Sequence, residues 1–493
     1  MASIVAELVV IPAPGLGHIK STVEFAKVLL NRDQHLSLTI MVIKPPSGDS
    51  GSAFTSYIQS LANNNSTLDR ISFIELPQQK TLPMFDSKSP MVSFTEFINS
   101  HCIYIKNVVA DMIGQPGSSR KVVGFVIDML CQTMIDVANE FNVPTYLFFT
   151  SNANFLSFCL HIQTLCDDQN QDIIELSNLN TKITVPGFVK PVPTNVFPSM
   201  IQNKEGLDFH LWTCRRFREV KAILVNTFVE LEMSAIQSIT DDISIPPVYA
   251  VGPILNLEDG DGAGTGKPYD NGVISWLDTQ SPSSVVFLCF GSMGSFDEIQ
   301  VKEIAYGLEK SKHRFVWSLR RPPSEKTTIA TGDYDNHEPI LPEGFMERMD
   351  GIGKVIGWAP QVKLLAHPAI GGFVSHCGWN SLLESLWFGV PSATWPIYAE
   401  QQINAFEMVV ELGLAVEIKL DYRNDLFYYK GETTVIVTAE EMENGIRQLM
   451  EDDKVRNKVK EMSEKSRATV VEGGSSYASI GRFVHDIIRN VSS

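Results

Sequence analysis

Residues Trp358–Gln401 read WAPQVKLLAHPAIGGFVSHCGWNSLLESLWFGVPSATWPIYAEQ. Within this stretch GGFVSH is a short apolar run that ends in the turn His376-Cys377-Gly378-Trp379-Asn380-Ser381. The apolar-periodic LLESLWFG follows it, then a further apolar run, PSATWPIY, closed by Glu400-Gln401. Apolar run, small-residue turn and amphipathic run read as strand, turn and helix start. A chain built by repeating that unit makes a parallel sheet with helices on both faces.

The alternation extends in both directions. SVVFLCFGSMGS reads as strand and turn, DEIQVKEIAYGLEKS as a helix, and HRFVWSLR and GKVIGW as strands. In the first half, AELVVIPAP precedes a helical STVEFAKVLLNR. LSLTIMVI, RISFIELP, VVGFVIDML, VPTYLFFT and AILVNT are further strands, with helical CQTMIDVANEF among them. Residues Leu257–Gly272, LEDGDGAGTGKPYDNG, form a Gly/Asp-rich break without periodicity and read as a linker. The polar insert from Arg321 to Gly344 reads as a flexible loop. The expected fold class is therefore α/β, with two facing, doubly wound, Rossmann-like parallel-sheet domains, 1–256 and 273–474, and a helical tail, 475–493. Open parallel sheets bind ligands beyond the C-terminal ends of their strands. Facing domains put those edges on an interdomain cleft.

Several residues at predicted strand ends carry chemistry. Trp358 can stack a flat base, although a partly buried structural indole is the plainer reading of the residue alone. The turn from His376 to Ser381 opens a helix whose free N–H groups suit phosphate, and His376, Asn380 and Ser381 add donors. Gly378 allows close backbone approach. Ser381-x-x-Glu384 also fits a capping box that needs no ligand. Gly291-Ser292-Met293-Gly294 is a second small turn before a helix, with Ser292 as a candidate phosphate contact and a second helix N-terminus facing it. Glu400-Gln401 joins a carboxylate to an amide and can read several hydroxyls, or else be a solvated loop. His18, in Pro14-Gly15-Leu16-Gly17-His18, has the ordinary pKa of a general base. Asp128 ends its strand and needs a partner if buried; it can hold His18 or cap the next helix.

These motifs closely resemble the signature box of the plant family 1 UDP-glycosyltransferases, which move sugar from a UDP-sugar to small acceptors. The match is unbroken over Trp358–Gln401, and the resemblance covers nearly the full chain. It implies the GT-B arrangement and a last helix, Ser475–Arg489, crossing back onto the first domain. It implies that His18 and Asp128 are the catalytic pair. It places Gly17, Thr150, Ser292, Trp358, Ala359, Gln361, His376, Gly378, Trp379, Asn380, Ser381, Glu384, Tyr398, Glu400 and Gln401 around the donor. Gln361 would meet uracil or ribose, Glu384 the ribose hydroxyls, and Thr150 the donor sugar. Position 400 is often Asp in the family. Gln at 401 resembles glucose users, whereas His there goes with galactose. No acidic pair is placed for a divalent cation, and the family needs none, so the UDP-sugar is the one expected cofactor. The expected reaction is single-displacement, inverting transfer of glucose from UDP-glucose to a hydroxyl of a flavonoid or other phenolic of plant secondary metabolism. Other UDP-sugars and terpenoid or hormone-like acceptors are the alternatives.

Composition excludes several classes. Over 493 residues the hydrophobic and charged fractions, 44% and 20%, are those of a globular chain. A net charge of -17 argues against nucleic-acid partners, which need a basic face. Seven scattered cysteines without CxxC argue against a disulfide framework or a zinc site and fit a reducing, cytoplasmic setting. No apolar run reaches the ~18 residues of a membrane span, and the apolar start carries Glu7, so it reads as a buried strand. A monomer is expected. The acceptor is expected against apolar stretches Lys80–Phe97, Phe155–Leu165 and Pro186–Trp212. A dinucleotide-binding Rossmann enzyme would need glycine where Lys20 stands. A non-catalytic UDP-sugar-binding protein would lack His18 or Asp128, and both are present.

Overall fold

The computed structural model describes residues 5–45, 49–63, 69–78, 90–114, 119–257, 272–323, 331–424 and 435–489. Residues 258–271 of the expected linker, 80–89 of the first acceptor stretch and 324–330 of the expected flexible insert lie outside them. In chain order the strands are β1 (Val5–Ile11), β2 (Leu36–Val42), β3 (Ile71–Glu75), β4 (Arg120–Asp128), β5 (Thr145–Phe149), β6 (Lys182–Ile183), β7 (Val192–Pro193), β8 (Ala222–Val225), β9 (Val248–Ala250), β10 (Val285–Cys289), β11 (Arg314–Ser318), β12 (Gly353–Ile356), β13 (Ile370–Ser375), β14 (Ser392–Thr394) and β15 (Ala415–Glu417).

Two parallel sheets organise the molecule. The first has the order β3-β2-β1-β4-β5-β8-β9 and the second β12-β11-β10-β13-β14-β15. Strands β1, β2, β5, β10 and β13 are buried almost throughout, as expected for strands covered by helices on both faces. The apolar residues of β1 divide accordingly: Val9 and Ile11 enter one core, Leu8 and Val10 the other. This is the GT-B architecture of two Rossmann-like domains. Only Ser392–Thr394 of PSATWPIY stays in the ladder, because Pro396 has no N–H to donate beyond it.

The helix Ser475–Arg489 packs on the first sheet. Its Ile480, Phe483, Val484 and Ile487 repeat at helical spacing and are buried with Ala6, Leu8, Tyr146 and Leu224. Burying each such side chain stabilises by about 1.5–3 kcal/mol. Polar clips add to this: Ser475 Oγ donates to Glu230 at 2.8 Å and Tyr249 to Asp486 at 2.5 Å.

Where the halves meet, two carboxyl groups are buried together. Glu232 accepts from the backbone N–H of Ala153 (3.0 Å) and Asn154 (2.7 Å), closing the N-terminus of the helix Ala153–Asp167. Glu407, in the π-helical turn Glu407–Glu411, accepts from Asn154 Nδ2 at 2.9 Å. Burial pushes both carboxyls up. Glu232 is partly drawn back by the Thr227 hydroxyl and the two N–H donors, whereas the Glu232 charge drives Glu407 well above the carboxylate range, with Glu411 adding to it. Of the pair, Glu407 is thus the carboxyl that binds its proton more tightly on folding. A pKa raised on folding contributes stability that is complete below the unfolded value and is lost as pH rises through the folded one. Glu407→Gln keeps a neutral partner for Asn154 with no proton to lose. Its unfolding midpoint, followed from acid to alkaline pH, should fall less steeply on the alkaline side than that of the parent chain. Parallel curves would remove the pair from the pH response.

Candidate active site

The C-terminal ends of both sheets bring most of the predicted residues to the cleft side where the domains meet: Ser151 of the first domain bonds Glu400 of the second, and Asn380 bonds Ser21. After β1, Gly15 is extended (φ -142°) and starts the helix Leu16–Leu30 without a side-chain cap. His18 sits in the first turn of that helix. Its Nδ1 lies 2.7 Å from Asp128 Oδ2, at the end of β4, and the two side chains are 31% and 0% exposed. The other Asp128 oxygen accepts from Leu130 N–H at 2.9 Å. Asp128 therefore both braces its own turn and holds His18; it does not cap the next helix, Met134–Glu140, whose N-cap position is Thr133. Thr150 Oγ1, after β5, is 3.4 Å from His18 Nδ1. Burial pulls the imidazole pKa down, but the charge and hydrogen bond of Asp128, helped by Glu400, outweigh it and leave His18 raised above its ordinary value.

Across the cleft the helix Trp379–Phe388 begins at Gly378, again with no side-chain cap and no acidic residue in its first turn. Its first N–H groups have no partners within the helix. Ser381 is thus inside the helix and is not its cap. Gln361 Nε2 instead donates to Ser381 Oγ (2.9 Å) and Glu384 Oε2 (2.6 Å). The capping-box alternative is ruled out by this geometry.

His376 is buried, which holds its pKa down at about 4, so the ring is neutral near pH 7 and donates through one nitrogen. It is wedged between two glycines: a Cβ on Gly291 (φ +76°) or on Gly378 would each lie 2.5 Å from its Nε2. The turn between them puts Cys377 at φ +63° and, later, Ala399 at φ +56°. Left-handed non-glycine residues cost of order 1–3 kcal/mol and cluster at binding sites. The Cys377 strain is held from outside: Ser375 Oγ accepts its N–H at 3.1 Å, and Asn404 Nδ2 donates to its carbonyl at 2.9 Å.

Two sequence expectations are narrowed to the backbone and two need correction. Trp379 points away from the cleft: its ring is 2% exposed and its N–H donates to the Asn226 carbonyl at 2.7 Å, leaving only its backbone for a ligand. The Ala359 methyl is packed into a core cluster, so that residue too can contribute only backbone. The helix after Gly291–Gly294 begins at Glu298, and Asp297 caps it by accepting from Gln300 N–H at 2.9 Å, so this second N-terminus is closed by its own carboxylate. Ser292 stays exposed, with its carbonyl accepting from Thr331 at 2.8 Å. Finally, the described part of the insert Arg321–Gly344 folds back, with Gly332 bridged to Arg321.

Other predicted residues are present with duties of their own. Asn380 Nδ2 donates to Ser21 Oγ (3.0 Å), and its Oδ1 is 3.4 Å from Asn226 Nδ2, so it ties the two domains at the cleft floor. A Cβ on Gly17 would lie 4.0 Å from that amide, which brings the two uncapped helix starts close together. Gln401 is 3% exposed, and its Oε1 accepts from Ile397 and Tyr398 N–H at 2.9 and 3.0 Å. Its oxygen shapes the loop that presents Glu400. Glu400 is half-buried and accepts from Ser151 Oγ at 3.3 Å; burial raises its pKa, partly offset by Ser151, His18 and Asn404. Tyr398 faces His376, with ring centroids 6.4 Å apart.

One residue escaped the sequence reading. Arg320, past the end of β11, is 9% exposed and sits with its guanidinium 4.9 Å from the centre of the half-buried Trp358 ring. Its Nη2 donates to Thr331 O at 3.0 Å and its Nε faces Asp333 at 3.2 Å. The insert thereby fixes the arginine that backs the indole. Only its place just beyond a strand, on the cleft side, could have signalled it.

Comparison with known proteins follows the same lines. Residues 237–467 match the family described as UDP-glucoronosyl and UDP-glucosyl transferase. The chain is 50% identical to a UDP-glucose flavonoid 3-O-glucosyltransferase 6 of Fragaria ananassa, over 98% of each sequence. It is similar to a crystal structure of a UGT transferase from Siraitia grosvenorii in complex with UDP: TM-score 0.86, 46% identity, covering 98% of this chain and 100% of that one. It also resembles Medicago truncatula UGT71G1 complexed with UDP-glucose, with TM-score 0.82, 44% identity and 98% of each chain covered.

Proposed function

The chain belongs to the plant family 1 UDP-glycosyltransferases, enzymes that use UDP-sugars, and from that premise we propose that it transfers glucose from UDP-glucose to a hydroxyl of a flavonoid or related small phenolic, with inversion. The observation that carries the reading is the His18–Asp128 pair at 2.7 Å, set in the same cleft as the uncapped start of the helix Trp379–Phe388. With Nδ1 held by Asp128, Nε2 is the nitrogen left to take the acceptor proton. Asp128 fixes the tautomer and stabilises the imidazolium that forms. The acceptor oxygen attacks the anomeric carbon as UDP departs from the opposite face, so an α-linked donor gives a β-glucoside.

On the donor side, Trp358 backed by Arg320 stacks uracil, and the Gln361–Glu384 pair meets uracil and ribose. The N–H groups of Trp379, Asn380 and Ser381, with neutral His376, Gly17 and Ser292, receive the diphosphate. Such preorganised donors stabilise charge developing on a leaving group. Thr150, Glu400 and Gln401 address the sugar, Gln401 mainly by holding Glu400 in place. Residues 1–256 form the acceptor unit, 257–272 the linker, 273–474 the donor unit and 475–493 the returning tail. The apolar stretches Phe155–Leu165 and Pro186–Trp212 supply acceptor surface. The enzyme works as a monomer in the cytoplasm; among the described residues the cysteines are unpaired and no helix is long and apolar enough to cross a membrane.

The test is mass spectrometry of products from UDP-glucose with flavonoid, simple phenolic and terpenoid acceptors, run beside UDP-galactose, UDP-xylose, UDP-rhamnose and UDP-glucuronate. One added hexose on a phenolic, with UDP-glucose preferred, is the expected result. Preference for another donor or for terpenoids would overturn the assignment of sugar or acceptor. Tight UDP binding without transfer to any acceptor would overturn catalysis of this reaction.

A further inference from the structure

Among the described residues, one group of three metal-binding side chains converges: Cys159, His210 and Cys214. Cys159 lies on the helix Ala153–Asp167, while His210 and Cys214 stand one turn apart on the helix Lys204–Phe217. They are 4%, 2% and 0% exposed. Their donor atoms all fall within 4.8 Å of one another, with His210 Nε2 3.5 Å from Cys214 Sγ. Ligands sharing one tetrahedral zinc, with Zn–S about 2.3 Å and Zn–N about 2.0–2.1 Å, stand roughly 3.5–3.8 Å apart. Closure onto an ion therefore needs side-chain adjustment of about 1 Å.

Isolated buried thiols pack as small hydrophobes, and that account suffices for Cys131. For His210 it is incomplete: the ring is hydrogen-bonded to the Cys159 backbone, and its Nε2 is left facing the Cys214 thiol, a weak partner. The two helices are also clamped next to the group without any ion. Arg215 grips Asp167 through two bonds of 2.6 and 2.9 Å, and Arg218 Nε donates to Gln163 at 2.7 Å. The spacing of the three donors is thus set by the fold.

We propose that Cys159, His210 and Cys214 form a thiophilic metal site that takes one Zn²⁺ per chain. Two S–Zn bonds and one N–Zn bond form, the two thiols release their protons to solvent, and nothing is oxidised. The ion cross-links the helix that carries the apolar stretch Phe155–Leu165 to the one that carries the end of Pro186–Trp212. It is separate from the cleft chemistry and does not depend on the donor or acceptor assigned above. The absence of CxxC pointed away from zinc; the i,i+4 pair His210-x-x-x-Cys214 is a different ligand spacing, completed by a cysteine 51 positions upstream of His210 (210 − 159).

The test uses the full chain, reduced and stripped of metal with a chelator, then titrated with Co²⁺ and afterwards Zn²⁺. One equivalent of Co²⁺ should give a thiolate-to-cobalt charge-transfer band that Zn²⁺ abolishes, and Zn²⁺ should raise the unfolding midpoint. Cys214→Ser and Cys159→Ser should each weaken binding at least tenfold, His210→Cys should retain it, and Cys166→Ser on the same helix should leave it unchanged. No band while every thiol titrates as free would overturn the proposal, as would equal binding by Cys214→Ser. Formation of a Cys159–Cys214 disulfide in place of metal uptake would overturn it too.

Discussion

His18→Ala should lower the rate of sugar transfer by about 10²–10⁴-fold, the usual worth of a general base, while leaving UDP affinity within twofold of the parent. The separation follows from position. His18 is fixed by Asp128 and Thr150 on the first domain, whereas the groups proposed to stack the base and receive the phosphates are mostly on the second. Asp128→Asn should cost a comparable factor, because an amide can present N–H where the imidazole needs an acceptor and so favours the wrong tautomer. The double variant should be little worse than either single one, since residues acting as a unit are not additive. Single-turnover rates and UDP titration decide the matter. Full turnover by His18→Ala would remove it from the chemistry, and equal loss of UDP affinity would make it a donor contact.

The pH profile gives a second, independent reading of the same pair. The base must be neutral to accept a proton, so kcat/KM should rise with pH through the His18 pKa. Burial alone would set that value low; Asp128 and Glu400 lift it above the ordinary 6.5. Removing the Asp128 charge should therefore move the acidic limb toward lower pH even as the plateau falls. A limb that stays in place would mean that another group limits the rate. Glu400, itself raised by burial, is the first to examine.

The parallel-sheet architecture was readable because buried strands such as VVFLC and AILV are continuous apolar runs between helical repeats. The three-residue strands β9 and β15 were not, since so short a ladder is fixed by its neighbours and not by its own pattern. Among the candidate site residues, those at a strand end or in the turn and helix start that follow it, Asp128, His376 and His18, were legible in position. The sequence could not tell which atoms of a motif face the ligand. Trp379 and Asn380 lie in one turn with Ser381, yet one points into the core and the other spends its amide on Ser21. Partners more than 150 positions away decide this: Trp379 and Asn380 both meet Asn226, and Asn380 also meets Ser21. Arg320 was invisible for the same reason, because its duty exists only once the insert has folded onto Trp358.

Gly291→Ala should weaken UDP binding and slow sugar transfer about 100-fold, the scale on which a 1 Å misplacement of a positioned group is felt in the rate. Two costs combine there. The left-handed φ of +76° is unfavourable for any side chain, and the new methyl would stand 2.5 Å from Nε2 and 2.8 Å from Cε1 of His376. His376 cannot retreat freely, because Gly378 borders the same nitrogen so closely that a Cβ there too would stand 2.5 Å from it. Relief must come from the turn that presents the helix start at Trp379, and so from the N–H groups proposed to receive the phosphates. Gly351→Ala separates the two costs. Its φ is +73°, nearly the same, but nothing lies within 4 Å of the added methyl. It should lose about 1–2 kcal/mol of stability from the left-handed conformation alone and keep its UDP dissociation constant. Calorimetric titration with UDP, alongside thermal unfolding of both variants, distinguishes them. If both lose stability equally and both still bind UDP, the His376 wedge does not shape the phosphate site, and the donor must be held by Trp358, Gln361 and Glu384 without it.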